Sequence, residues 1–226
     1  MNRTDIIEQN TVAADGQVSR EAQVQTNECG GSIKVLFVGN SITLHAPKED
    51  IGWYGNWGMA ASCREKDYVH VTVSLLEERF GTVDYTFVNC AEWERSYWDE
   101  TVLDHWQAAR DFAADVVVIR IGENTWGVRD KLGEIDYYPH FDRMVRYFAS
   151  NPNAKVIVTD LFWRKEPIDC VIRRVAADRG YTLVGLNDLG DRDENMAIGE
   201  YEHRGVSLHP NDTGMRRIAE RIVAQI

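Results

Sequence analysis

The chain is poor in paired cysteines, in positive charge and in long apolar runs. Its four cysteines, Cys29, Cys63, Cys90 and Cys170, are widely spaced and form no C-x-x-C pair. Neither a zinc site nor a disulfide framework is expected, and the four read as free thiols. The 25 Lys and Arg against 36 Asp and Glu leave a net charge of -11. Nucleic acids and anionic membranes both bind basic surface, so neither is expected as a partner. No run approaches the ~20 apolar residues of a membrane helix. Residues 1–32 contain no hydrophobic signal core, and the expected location is cytoplasmic. The six histidines show neither H-E-x-x-H nor any paired spacing, so no metal is expected. No internal repeat is visible.

What is present suits one globular domain. A chain of 226 residues that is 44% hydrophobic buries roughly 70% of its unfolded surface and needs no staples. Residues 1–32, rich in Gln, Asn, Thr, Glu and Gly, read as a flexible N-terminal extension, with the domain spanning 33–226. Beyond Ile33, short β-rich apolar runs alternate with amphipathic stretches. The pattern predicts strands over 33–38, 84–89, 115–121, 154–160 and 181–186. It predicts helices over 54–64, 67–79, 99–113, 136–150, 167–179 and 212–225. Asn151-Pro152-Asn153 and Gly180 serve as breakers. Such alternation predicts an α/β fold with a five-stranded, mostly parallel sheet between two helical layers.

The first strand run, Val35-Leu36-Phe37-Val38, stops at Gly39-Asn40-Ser41. A serine at the carboxyl end of a buried strand lies over the crevice where open α/β sheets bind ligands. A serine hydroxyl needs a base during attack, and histidine has a suitable pKa. The tetrahedral intermediate then needs hydrogen-bond donors for its oxyanion. Ser41, His209 and Asn124 are of the right chemical types, and each follows a predicted strand or precedes the last helix.

These blocks resemble those of the SGNH (GDSL-type) hydrolases, which carry Ser, Gly, Asn and His in that order. Gly39-Asn40-Ser41-Ile42 resembles the nucleophile block. Gly122-Glu123-Asn124 resembles the Gly-x-Asn block, and His209-Pro210-Asn211-Asp212-Thr213-Gly214-Met215 the last one. The resemblance implies a flavodoxin-like three-layer sandwich and a serine esterase that needs no cofactor. It implies Ser41 as nucleophile and His209 as base. It implies an oxyanion hole of the Ser41 and Glu94 backbone N–H groups and the Asn124 amide.

Two positions depart from the family pattern. Glu94 stands where a glycine follows the second-block asparagine by five residues, and Val206 stands where an aspartate precedes the histidine by three. Either a backbone carbonyl holds the imidazole, giving a Ser-His dyad, or another acid does. Glu202 is the first side-chain candidate, ahead of Glu200 and Asp193, and Glu123 is expected near the rim. His45 is expected to line the pocket or cap a turn.

Tryptophans and a tyrosine crowd the loops: Trp53, Tyr54, Trp57, Trp93, Trp98, Trp126 and Trp163. They read either as packing or as a platform for a sugar ring. The expected substrate is a small-molecule or carbohydrate ester, with an O-acetyl group leading. The alternatives are acyl transfer to another acceptor and a non-catalytic carbohydrate-binding relative.

Overall fold

The computed structural model describes residues 24–226. Six strands form one sheet: β1 (Val24–Asn27), β2 (Ile33–Gly39), β3 (Val83–Asn89), β4 (Val116–Arg120), β5 (Lys155–Thr159) and β6 (Thr182–Val184). Their order is β1-β3-β2-β4-β5-β6. All neighbours pair in parallel except β1, which runs antiparallel to β3. Without β1 the order is that of a flavodoxin-like sheet. The chain leaves β2 first to one side, for β3, and then to the other, for β4. The carboxyl end of β2 is thus the switch point at which ligands bind in open sheets.

Strand alternation assigns the two faces. Leu36, Val38, Val88, Val117, Ile119, Val156 and Val158 point to one side. There they meet helices α4 (Tyr137–Phe148) and α5 (Glu166–Arg179) and the segment ending in α3 (Gln107–Asp111). Val35, Phe37, Tyr85, Phe87, Val118 and Ile157 point to the other, against α1 (Tyr68–Phe80) and α7 (Asp212–Val223). Both faces are covered, so the central strands read as unbroken apolar runs rather than alternating ones.

The expected strands and long helices are present with ends shifted by a few residues. Three expectations are corrected. Residues 24–27 are an edge strand rather than part of a loose arm; its Thr26 hydroxyl bonds that of Thr86 at 3.0 Å. The rest of the expected arm, residues 1–23, lies outside the described residues. No helix forms over 54–64. Those residues belong to a folded loop bridged at His45–Trp57 and Lys48–Trp53, in which Ala60 takes a φ of 73°. Finally, the expected helix over 99–113 is tighter-wound over Glu100–Trp106 and α-helical only in α3.

The four cysteines are free thiols, Cys90 buried and Cys29 and Cys170 exposed. No helix among the described residues is long and apolar enough to cross a membrane.

Candidate active site

Ser41 sits on a single tight turn at the end of β2. The Thr43 and Leu44 N–H groups both donate to the Asn40 carbonyl, at 2.8 and 3.0 Å. The turn folds so sharply that a Cβ at Gly39 would lie 1.8 Å from the Thr43 hydroxyl. The returning loop seals it from outside, Met59 N–H donating to the Ser41 carbonyl at 2.8 Å.

His209 arrives from the other end of the chain. It follows the short helix α6 (Arg204–Ser207) and precedes α7, whose N-terminus is capped by the Asn211 side chain accepting from Gly214 N–H at 3.0 Å. A small apolar cluster ties the two loops together. Trp53, Met59 and Ala60 come from the loop after Ser41, and Ala197 and Val206 from the segment before His209. That cluster, with the Asp212 carboxylate accepting from the Ser62 N–H and hydroxyl, both at 2.8 Å, fixes the loops against each other.

The result is a Ser41 Oγ to His209 Nε2 distance of 2.8 Å. The other ring nitrogen, Nδ1, lies 2.7 Å from the Gly205 carbonyl. A carbonyl only accepts, so Nδ1 carries the proton and Nε2 is the acceptor for the serine hydroxyl. This is the tautomer that a general base requires. Glu202 therefore does not orient the imidazole: it is exposed, as is Glu200, and the Nδ1 proton is spent on Gly205. Trp163 packs edge-on against the imidazole, ring centroids 5.1 Å apart.

Burial pushes the His209 pKa down to about 3, only partly offset by the Gly205 bond. Unfolded, the ring takes a proton near 6.5, the ordinary histidine value. Between these values the unfolded chain binds a proton that the native chain refuses. The stabilising contribution is full above the unfolded value and is lost as pH falls toward the folded one. The melting temperature is expected to drop as pH is lowered from about 6.5 to about 4, and to drop less steeply in His209→Asn. Thermal unfolding across that range checks this; equal slopes in the two proteins would refute it.

Beneath the serine lies a buried polar cluster. Asn40, Glu94, Arg120 and Glu123 are 1%, 0%, 0% and 2% exposed, so each needs a partner inside the protein. Arg120 Nη1 donates to Glu123 Oε1 at 2.6 Å, and its Nη2 donates to Asn40 Oδ1. Asn40 Nδ2 donates to Glu123 Oε2 at 2.7 Å and to Glu94 Oε1 at 3.1 Å. Glu123 is thus not on the rim. The sequence carried one signal of this cluster: Arg120 closes the otherwise apolar Val116-Val117-Val118-Ile119, and a charge there demands a buried counter-charge.

Glu94 also departs from expectation. Its backbone N–H does not face the site; it donates to the Cys90 carbonyl at 3.3 Å within helix α2 (Ala91–Arg95). Its carboxylate instead accepts from Asn124 Nδ2 at 2.5 Å. Asn124 keeps its second amide proton beyond the bond to Glu94. Gly122, with a φ of 139° and a would-be Cβ 2.8 Å from Leu161, makes the turn that presents Asn124.

Of the aromatic residues, Trp53 and Trp93 are core, at 2% and 1% exposed. Trp57 is spent on the Ala61 carbonyl. Trp163 remains at the site, beside His209; Trp126, two residues past Asn124, has the Lys165 ammonium 4.9 Å over its ring. His45 is buried, with Nδ1 on the Ala46 carbonyl at 2.6 Å, and burial holds its pKa below the ordinary value.

A flavodoxin-like sandwich with a serine and a neutral histidine in contact at its switch point has the form of an α/β hydrolytic domain. The sequence profile of the GDSL-like lipase/acylhydrolase family matches residues 37–217, and the chain belongs to that family. Solved structures share the fold. An acetyl xylan esterase, AlAXEase, is 18% identical with a TM-score of 0.54, over 86% of this chain and all (100%) of that one. The lipase/acylhydrolase from Enterococcus faecalis is 14% identical with a TM-score of 0.52, over 86% and 95%. A family two carbohydrate esterase from Clostridium thermocellum, in complex with cellohexaose, is 14% identical with a TM-score of 0.55, over 89% and 66%. A sequence search of curated proteins gives no match.

Proposed function

We propose that this chain is a serine esterase that hydrolyses a small acyl ester through an acyl-serine intermediate, with an O-acetyl group on a carbohydrate as the leading substrate. The observation that carries this reading is the 2.8 Å contact between Ser41 Oγ and a His209 Nε2 left free to accept. Ser41 Oγ attacks the ester carbonyl carbon as His209 takes its proton. The carbonyl oxygen, now negative, is held by the Ser41 N–H and the Asn124 amide. His209 returns the proton to the leaving alcohol, and water releases the acyl group by the reverse path.

With no carboxylate on Nδ1, the imidazolium formed in each step is met only by the Gly205 carbonyl. The site is therefore a dyad. The carbohydrate half of the reading draws on Trp163 beside the dyad, since aromatic rings suit sugar rings. It draws also on two fold neighbours, an acetyl xylan esterase and a carbohydrate esterase. The intact Ser-His contact speaks against a non-catalytic relative.

A fluorophosphonate probe is expected to label the wild-type protein and not Ser41→Ala. Acetylated xylo- and cello-oligosaccharides and p-nitrophenyl acetate are expected to be cleaved faster than esters of longer acyl chains. Absence of labelling together with absence of turnover on any of these esters rejects the esterase reading. Turnover confined to long acyl chains rejects the acetyl assignment alone.

A further inference from the structure

We propose that Glu94 is a positioning residue for the oxyanion donor: from the place where the family carries a glycine, its carboxylate clamps the Gly122–Asn124 turn and aims the Asn124 amide. The inference rests on the esterase reading above.

The Glu94 carboxylate has four partners, and all are N–H donors. Oε1 accepts from Gly122 N at 2.7 Å, Asn124 N at 3.0 Å and Asn40 Nδ2 at 3.1 Å, and Oε2 from Asn124 Nδ2 at 2.5 Å. Three of the four come from the turn that presents Asn124. The fourth comes from the residue before Ser41. One carboxylate therefore joins the loop of the nucleophile to the loop of the oxyanion donor. An asparagine amide carries two protons. With one fixed on Glu94 Oε2, the side chain cannot rotate freely, and the second proton keeps a constant direction. Where the family's glycine would donate a backbone N–H, this chain has a helical turn whose N–H is used internally. More of the oxyanion stabilisation then falls on Asn124, and its aim matters more: a misplacement of about 1 Å costs on the order of 10²-fold.

The charge on Glu94 is the variable element of the cluster. Arg120 and Glu123 pair with each other at 2.6 Å. The two other titratable groups that feel Glu94, Cys90 and Tyr137, are held far above their ordinary pKa values by burial and stay neutral. Burial, with the Glu123 charge added, pushes Glu94 up to about 7. Four donors suit the ionised carboxylate, which only accepts. Protonation puts a hydrogen where one of those donors points, and the clamp on Asn124 loosens. Activity is thus expected to rise with pH through about 7, a limb that His209, held near 3, does not supply.

The test uses p-nitrophenyl acetate with wild type, Glu94→Gln, Asn124→Ala and the double variant, from about pH 5 to pH 9. Glu94→Gln is expected to lower kcat by about 10²-fold with KM changed less than about threefold, the pattern of a lost transition-state interaction. In the Asn124→Ala background the same change is expected to cost less than about threefold, because the two residues act as one unit. The limb near pH 7 is expected in wild type and absent from both single variants. Losses that multiply in the double variant, or a limb that persists in Glu94→Gln, would overturn the proposal. If circular dichroism finds Glu94→Gln unfolded, wild type and Asn124→Ala still decide: a limb shared by both overturns it, and a limb confined to wild type supports it. Ser41→Ala separates the two readings. Activity surviving that change refutes the serine esterase itself. Activity lost there but unchanged in Glu94→Gln refutes only the role of Glu94.

Discussion

Ser41→Ala is expected to lower kcat for p-nitrophenyl acetate by on the order of 10⁴-fold or more, with the melting temperature within a few degrees of wild type. The hydroxyl bonds to His209 Nε2. The turn that carries it is held by backbone bonds from Thr43, Leu44 and Met59, none of which involves the side chain. Removing one oxygen thus takes away the reacting atom and leaves the scaffold. His209→Ala is expected to lose a similar amount, and the double variant little more, because nucleophile and base act as a unit. Steady-state kinetics with thermal unfolding checks both. Near-normal turnover in Ser41→Ala would sink the serine mechanism, and a large fall in melting temperature would show that the hydroxyl also holds the turn.

Much of the fold was legible because buried parallel strands leave a distinctive record. Runs such as Val116-Val117-Val118-Ile119 have no polar alternation, since both faces are covered. Asn151-Pro152 and Gly180 then mark where chain direction changes. The misreadings share a cause. In the loop around 54–64, Trp53, Trp57 and Met59 pack in a satellite cluster instead, with Trp53 on Trp57 and Tyr201 at ring-centroid distances of 5.7 and 6.1 Å. Tertiary contacts there override local periodicity. Strand β1 was hidden for the opposite reason. An edge strand with one partner needs little apolar surface, and Val24-Gln25-Thr26-Asn27 carries one apolar residue.

The site divides in the same way. Ser41, Asn124 and His209 could be named because each stands in a short block whose neighbours also have jobs. Gly39 allows the sharp turn, Gly122 supplies the positive φ, and Asn211 caps the last helix. The missing acid at Val206 left a backbone carbonyl as one of two readings, but that it is the carbonyl of Gly205 was illegible, because a backbone acceptor leaves no mark on residue type. So was the Glu94 clamp. A glutamate in a helical turn usually faces water, and only the approach of Asn40, Gly122 and Asn124 in space turns it inward.

Restoring the family's acid with Val206→Asp is expected to destabilise the protein by about 3 kcal/mol and to leave kcat without gain. From sequence spacing alone the change looks harmless, even helpful. The structure reverses that expectation. Val206 is fully buried, and its side chain packs with Trp53, Met59, Ala60 and Ala197. A carboxylate there is buried among apolar side chains and loses the methyl groups that hold the loop of Ser41 to the segment of His209. For a chain of this size the melting temperature is expected to fall by roughly 10 °C. Glu202→Gln, by contrast, alters an exposed side chain and is expected to change kcat less than about twofold, since surface substitutions away from such features act weakly. The pair of variants therefore tests the dyad from both sides. A stable Val206→Asp protein with raised kcat at neutral pH would mean that the new carboxylate reaches His209 Nδ1 and displaces the Gly205 carbonyl. A large loss in Glu202→Gln would mean that an acid already does so.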